Sequence, residues 1–372
     1  MEKDYKQSLV FYRKYRPRTF GEFINQEPIK QTLQNALLLN KISHAYLFAG
    51  VRGTGKTSLA RLYAKTINCL KPQKTKQGIE PCNQCEICEE INGGRAIDLV
   101  EIDAASNRGI DEIRNLKEGI KFNPVKSKYK VFIIDEAHML TPQAVNALLK
   151  TLEEPPEHAI FVLATTEPDK LLPTILSRVQ RFDFKRLSAA DIAKKLQEIA
   201  RQEKIEIEPA ALTAIARSAE GSIRDAESIF SQVVAFSYDK KITLDEVEQL
   251  IGAIRFEKIK EFLGYLADND LKNSVLFINN LQNQGYQLYE AIKLSASILE
   301  KILILKLDPK TKDFLSAEFN QEELETLQSL AEKFDSQKLR QLAYKFLTAL
   351  PEIKRSVLPS LPIEIVIIET LT

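Results

Sequence analysis

A chain of 372 residues, 44% of them hydrophobic, can bury substantial cores, and its length suggests two or three domains rather than one. Its 52 Lys and Arg nearly balance 51 Asp and Glu, a net charge of +1, which excludes a global field for nucleic acid and leaves only a local patch. No apolar run approaches the ~20 residues that a membrane-spanning helix needs, and residues 1–7 carry four charges and no hydrophobic signal region, so a cytoplasmic chain is expected.

In chain order, the apolar run 45–49 reads as a buried parallel strand. It leads into Gly50-Val51-Arg52-Gly53-Thr54-Gly55-Lys56-Thr57, which fits G-x-x-x-x-G-K-[ST], then Ser58 and a helix expected over 57–67. Strand, glycine loop and helix together are the context this pattern requires. The glycines let the backbone curl so that its N–H groups point inward at phosphate, and the helix N-terminus adds to that field. Gly50, Gly53, Thr54, Gly55, Lys56, Thr57 and Ser58 are therefore candidate nucleotide ligands. Lys56 is expected on the β- and γ-phosphates of ATP or GTP, and the Thr57 hydroxyl on Mg²⁺.

All four cysteines follow within one segment, as Cys69 and then Cys82-x-x-Cys85-x-x-Cys88. Four thiolates satisfy tetrahedral Zn²⁺ with no open position, which predicts a structural site. Two disulfides or an iron–sulfur cluster are the alternatives; a reducing cytosol and the tight spacing disfavour the disulfides.

Further apolar runs at 99–102, 131–134 and 160–164 read as buried parallel strands separated by helical stretches, giving an α/β sheet with its loops at the carboxyl edge. The run 131–134 ends in Asp135 and Glu136. Alone, such a pair is as often a solvated acidic turn. Beside a phosphate loop, it reads as one carboxylate for Mg²⁺, Asp135, and one that orients and deprotonates the attacking water, Glu136.

After Phe184 the pattern is helical: 190–203, 209–220 and 223–237 form a small bundle, with Pro209 suited to a first turn and Gly221 to a stop. From about Arg255 the chain stays helical, including 258–267, 273–284, 288–307 and 321–333. The last segment, 362–372, is a conflict. Its Ile and Val favour strand, Pro362 can open a helix, and a helix is expected.

With these motifs in place, the sequence resembles the AAA+ clamp-loader ATPases, in particular the gamma/tau subunits of bacterial DNA polymerase III. The resemblance spans about 9–252. It rests on Tyr12-Arg13-Lys14-Tyr15-Arg16-Pro17 with 20–26, His44-Ala45-Tyr46-Leu47-Phe48, Asp135-Glu136-Ala137-His138-Met139-Leu140, and Asn146-Ala147-Leu148-Leu149-Lys150-Thr151-Leu152-Glu153-Glu154-Pro155-Pro156. It implies a P-loop AAA+ domain over 1–182 with a four-cysteine zinc insert at about 68–94, a three-helix lid over 183–252, and a helical collar for oligomerisation over 253–372.

The resemblance also implies residue roles. Thr165 matches sensor 1, with Thr166 a possible substitute, and Gly221-Ser222-Ile223-Arg224-Asp225 matches sensor 2, in which Arg224 reaches the phosphates. Ser177-Arg178-Val179 departs from the family's Ser-Arg-Cys at Val179, yet keeps Arg178, the arginine finger that acts in trans on a neighbour's ATP. Tyr12, Arg16, Pro17 and Ile24 correspond to positions around the adenine. Zinc is the metal the family holds in this place. Lys150 matches a DNA-facing position, with Asn107 and Arg108 in a second such loop.

The implied activity is ATP hydrolysis by a motor subunit of a DNA-directed DNA polymerase holoenzyme. Its implied partners are the other subunits of a pentameric ring, the sliding clamp and primer–template DNA. Two other readings remain: a ring DNA translocase such as a branch-migration helicase, and a nonhydrolytic scaffold subunit of the loader. Intact Lys56, Thr57, Asp135 and Glu136 speak against the scaffold.

Overall fold

A computed structural model describes residues 10–75, 78–106, 118–237, 241–251, 256–308, 311–315, 319 and 321–372. Asn107 and Arg108 lie outside the described residues. The chain divides into two units, Met1–Ile242 and Thr243–Thr372.

The first unit is built on a five-stranded sheet: β1 (Ala45–Gly50), β4 (Leu99–Asp103), β5 (Lys130–Asp135), β6 (Ala159–Thr165) and β7 (Gln180–Phe184), in the order β4-β5-β6-β1-β7 with every pair parallel. A parallel sheet buries both faces, and all seven residues of β6 are accordingly buried. Alternation then sorts the side chains between two cores. Tyr46, Phe48, Val131, Ile133, Ile160 and Val162 join Phe20, Leu33, Leu59 and Tyr63 on one face. Ala45, Leu47, Phe132, Ile134, Phe161 and Leu163 join Leu148, Leu152 and Ile175 on the other.

The strand β7 did not stand out in the sequence. It is an edge strand that buries Phe182 and Phe184 and leaves Gln180, Arg181 and Asp183 exposed, so no continuous apolar run marks it. The helices α1 (Phe11–Lys14) and α2 (Glu27–Leu38) precede β1, and a short antiparallel hairpin, β2 (Gln73–Thr75) with β3 (Gly78–Glu80), follows the helix α3 (Lys56–Ile67).

Three helices complete this unit: Ala189–Glu203, Pro209–Ser218 and Ile223–Phe236. Ser188 caps the first by accepting from Asp191 N, and Ser222 caps the third by accepting from Asp225 N. Gly221, at φ +87°, makes the left-handed turn between the second and third.

The second unit is helical. Its two 20-residue helices, Leu288–Leu307 and Ser336–Arg355, share a core with Phe262, which stacks on Phe277 and Phe346 at 5.1 and 6.1 Å. The chain's last segment is the helix Leu361–Leu371. Ile363 and Ile367, four residues apart on one face, are fully buried, and Pro362 sits in the first turn, so tertiary burial overrides the strand propensity of the isoleucines. Among the described residues, no helix is long and apolar enough to cross a membrane.

Candidate functional site

The loop between β1 and α3 is closely held. Gly55, at φ +96°, precedes α3, and a Cβ there would fall 2.6 Å from Phe23 Cζ; a Cβ on Gly53, at φ +77°, would fall 1.8 Å from Ser222 Oγ. Gly53 O accepts from Ile223 N at 3.1 Å, and Thr54 Oγ1 donates to Val51 O at 2.8 Å. Lys56 is 5% exposed and donates to Gly50 O at 2.8 Å and Val51 O at 2.9 Å. Burial lowers its pKa, while Glu136 and Asp135 oppose the shift. A buried ammonium resting on neutral carbonyls at a helix N-terminus fits a polyphosphate.

At the carboxyl end of β5, Asp135 Oδ2 accepts from Thr57 Oγ1 at 2.6 Å. This hydroxyl–carboxylate pair is an oxygen donor set suited to Mg²⁺. The backbone turns sharply at Glu136, whose φ of +48° is left-handed. Glu136 Oε2 accepts from Thr166 Oγ1 at 3.0 Å and Thr166 N at 3.2 Å. Thr165 is fully buried; its hydroxyl bonds His138 Nδ1 at 2.9 Å and accepts from Glu167 N at 3.1 Å. Of the two threonines, Thr166 is the one on Glu136. His138 and Glu167, whose Nε2 and Oε1 lie 3.2 Å apart, complete this cluster; the sequence marks His138 only as part of a motif and Glu167 not at all.

The glycine loop, Asp135 and Glu136 border a cleft of ≈ 980 Å³. Gly53, Thr54, Gly55, Lys56, Thr57, Ser58, Asp135 and Glu136 line one part of it, and Tyr12, Arg16, Pro17 and Ile24 another. Arg224 enters from the first turn of Ile223–Phe236, its guanidinium 5.0 Å from the centre of the Tyr12 ring. Arg16 Nε is buried without a partner among the described residues. Glu227, which the sequence did not flag, also lines the cleft; burial pushes its carboxyl up to about 8 against the pull of Lys195.

Arg178 stands apart from the cleft lining. It pairs with Glu153 Oε1 at 2.7 Å and donates to Thr174 O at 2.8 Å. Lys150 is exposed on the helix Pro142–Glu153.

The four cysteines converge, with all Sγ atoms within 4.8 Å of one another, and each is a free thiol. Cys69 follows α3, Cys82 follows β3, and Cys85 and Cys88 open the helix α4 (Glu86–Asn92). Backbone amides point at sulfur: Cys82 N donates to Cys69 Sγ at 3.2 Å, and Cys85 N to Cys82 Sγ at 3.3 Å. Burial pushes Cys69 and Cys88 up; at Cys82 it is outweighed by the amides of Gln84 and Cys85, which hold that thiol at about 6. Four sulfurs with N–H donors fit a tetrahedral soft metal ion. Beside them the buried Lys65 donates to Arg18 O, Asn83 Oδ1 and Asn92 Oδ1 at 2.9, 2.7 and 2.8 Å, a role no sequence pattern indicated.

Residues 25–188 match a family described as DNA polymerase III, delta subunit; 191–239 match the DNA polymerase III clamp loader subunit, ATPase lid domain; and 242–372 match DNA polymerase III subunits gamma and tau domain III. The chain is 42% identical over 333 residues to the DNA polymerase III subunit tau of Bacillus subtilis, covering 90% of this chain and 58% of that one. It is 40% identical over 317 residues to the Escherichia coli subunit tau, covering 85% and 48%. With the DNA polymerase III subunit gamma of Buchnera aphidicola it shares 37% identity over 305 residues, covering 82% of this chain and 80% of that one. The chain thus spans about half the length of the two tau subunits.

Proposed function

The chain belongs to the gamma/tau family of DNA polymerase III subunits, and from that premise we propose that it is an ATP-hydrolysing motor subunit of a cytoplasmic clamp loader. The observation that carries this reading is the convergence in one cleft of a buried Lys56, the Thr57–Asp135 pair, Glu136 held by Thr166, and Arg224.

In this reading the loop amides and Lys56 bind the phosphates, and Thr57 and Asp135 hold Mg²⁺, which when bound neutralises phosphate charge. Glu136 orients the attacking water and takes its proton; Thr166 fixes the carboxylate's direction, and Thr165 with His138 fixes the turn that carries Thr166. Tyr12, Arg16, Pro17 and Ile24 seat the base, Gly50 anchors Lys56, and Arg224 meets the phosphates from the lid. Arg178, which pairs with Glu153 away from the lining of its own chain's cleft, serves a neighbouring subunit's nucleotide in this reading. The four cysteines hold a structural Zn²⁺.

Residues 1–182, 183–252 and 253–372 are read as ATPase, lid and collar. The partners are the other subunits of a pentameric ring, the sliding clamp and primer–template DNA, whose phosphates Lys150 contacts without sequence preference. Steady-state ATP turnover of the reconstituted loader tests this. Joint stimulation by clamp and primed DNA is expected; turnover indifferent to both refutes the reading.

A further inference from the structure

Glu227 lies one helical turn beyond Arg224, so the two side chains leave neighbouring points of the same helix face. It is 5% exposed, lines the cleft, and its carboxyl has no hydrogen bond or ion pair among the described residues. Lys195, on the helix Ala189–Glu203, is the cation that acts on it through space. Across the cleft lining, Arg16 carries the opposite orphan, a buried Nε donor without a partner among the described residues. An unpaired buried carboxyl and an unpaired buried donor are both unfavourable, and the two do not pair with each other. A ligand that offers acceptors and donors satisfies both.

We propose that Glu227 accepts a hydrogen bond from the nucleoside half of the bound nucleotide. This rests on the nucleotide-site reading above. The phosphates do not satisfy the acceptor oxygen of Glu227, because they are anionic and themselves offer acceptors. Donors on ATP are found on the nucleoside: the 6-amino group of adenine and the ribose hydroxyls. Either protonation state of Glu227 keeps an acceptor oxygen, so the contact does not depend on the charge of the group.

The experiment is equilibrium titration of the full chain with ATP, with the purine riboside triphosphate that lacks the 6-amino group, and with 2′-deoxy- and 3′-deoxy-ATP. Wild type, Glu227→Leu, Glu227→Gln and Lys56→Ala are compared. In wild type, the analogue lacking the partner donor binds roughly 10-fold more weakly than ATP. In Glu227→Leu that ratio collapses to within about twofold, while Glu227→Gln, which keeps an acceptor oxygen, retains most of it. Which analogue shows the effect identifies base or ribose as the source. Unchanged ratios for all three analogues in Glu227→Leu overturn the inference. If Lys56→Ala binds ATP as wild type does, the nucleotide-site reading itself fails, whatever Glu227 does.

Discussion

Ile223 donates its amide to the carbonyl of Gly53 across 3.1 Å, joining the phosphate loop to the first turn of the helix that carries Arg224. Ser222 fills the space where a Gly53 side chain would stand. Loop and helix are therefore joined through main chain at this point, and under the proposed function a shift of the loop on binding phosphates would be passed to the turn that carries Arg224.

Gly53→Ala tests that junction. The added Cβ collides with Ser222 at a left-handed φ, which costs on the order of 1–3 kcal/mol. Weaker ATP binding and a lower melting temperature are expected together; wild-type values of both would show that the contact is slack.

Glu136→Gln keeps the shape of the turn and removes the proton acceptor. Single-turnover hydrolysis falls by at least about 100-fold while ATP affinity is kept. Thr166→Val, which removes the hydroxyl bond to Glu136 and leaves that of the Thr166 amide, lowers turnover by roughly 10-fold. Thr165→Val acts on the His138 contact and on thermal stability. A larger loss of turnover from Thr165→Val than from Thr166→Val contradicts the geometry.

Arg178→Ala leaves its own chain's ATP affinity unchanged and lowers hydrolysis in the assembled loader by about 10³-fold or more. Mixing experiments with Lys56→Ala subunits locate the defect on the neighbour. Loss of ATP affinity in the isolated variant chain excludes action in trans.

Metal analysis of the purified chain gives about one zinc per chain. Removal by chelator, or Cys88→Ser, lowers the melting temperature by at least about 5 °C. A metal ratio near zero with unchanged melting defeats the zinc assignment.

Glu227 also fixes a pH dependence. Its carboxyl, 4.5 when unperturbed, is raised to about 8 by burial. Between these values the unfolded chain has lost the proton that the folded chain keeps, so stability falls as pH rises through that window. Glu227→Leu should therefore gain stability over wild type at pH 8, on the order of 2–4 kcal/mol, and lose that gain toward pH 4.5. Denaturant unfolding at the two pH values measures it; a gain independent of pH would show that the carboxyl stays ionised in the fold.

Much of this was legible in the chain. The phosphate loop was readable because glycine and lysine have few substitutes there, and the strands β1, β5 and β6 because burial on two faces demands an unbroken apolar run. The strand β7 escaped because an edge strand mixes Arg181 and Asp183 with Phe182 and Phe184. Thr165 and Thr166 are adjacent and chemically identical; the direction of the chain as it leaves β6 decides which meets Glu136, and local sequence does not encode that. Lys65 and Glu227 look like ordinary positions of polar helices, since their burial comes from elements distant in the chain.

The helix α3 begins at Lys56 on the phosphate loop and leads to Cys69, and Lys65 near its far end is tied to Asn83 and Asn92 of the cysteine segment. Twelve residues at about 1.5 Å each make a strut of about 18 Å. Losing a metal from the four cysteines, or oxidising them, would loosen the far anchor of that strut, and under the proposed function the loosening would pass along α3 to the loop that holds Lys56.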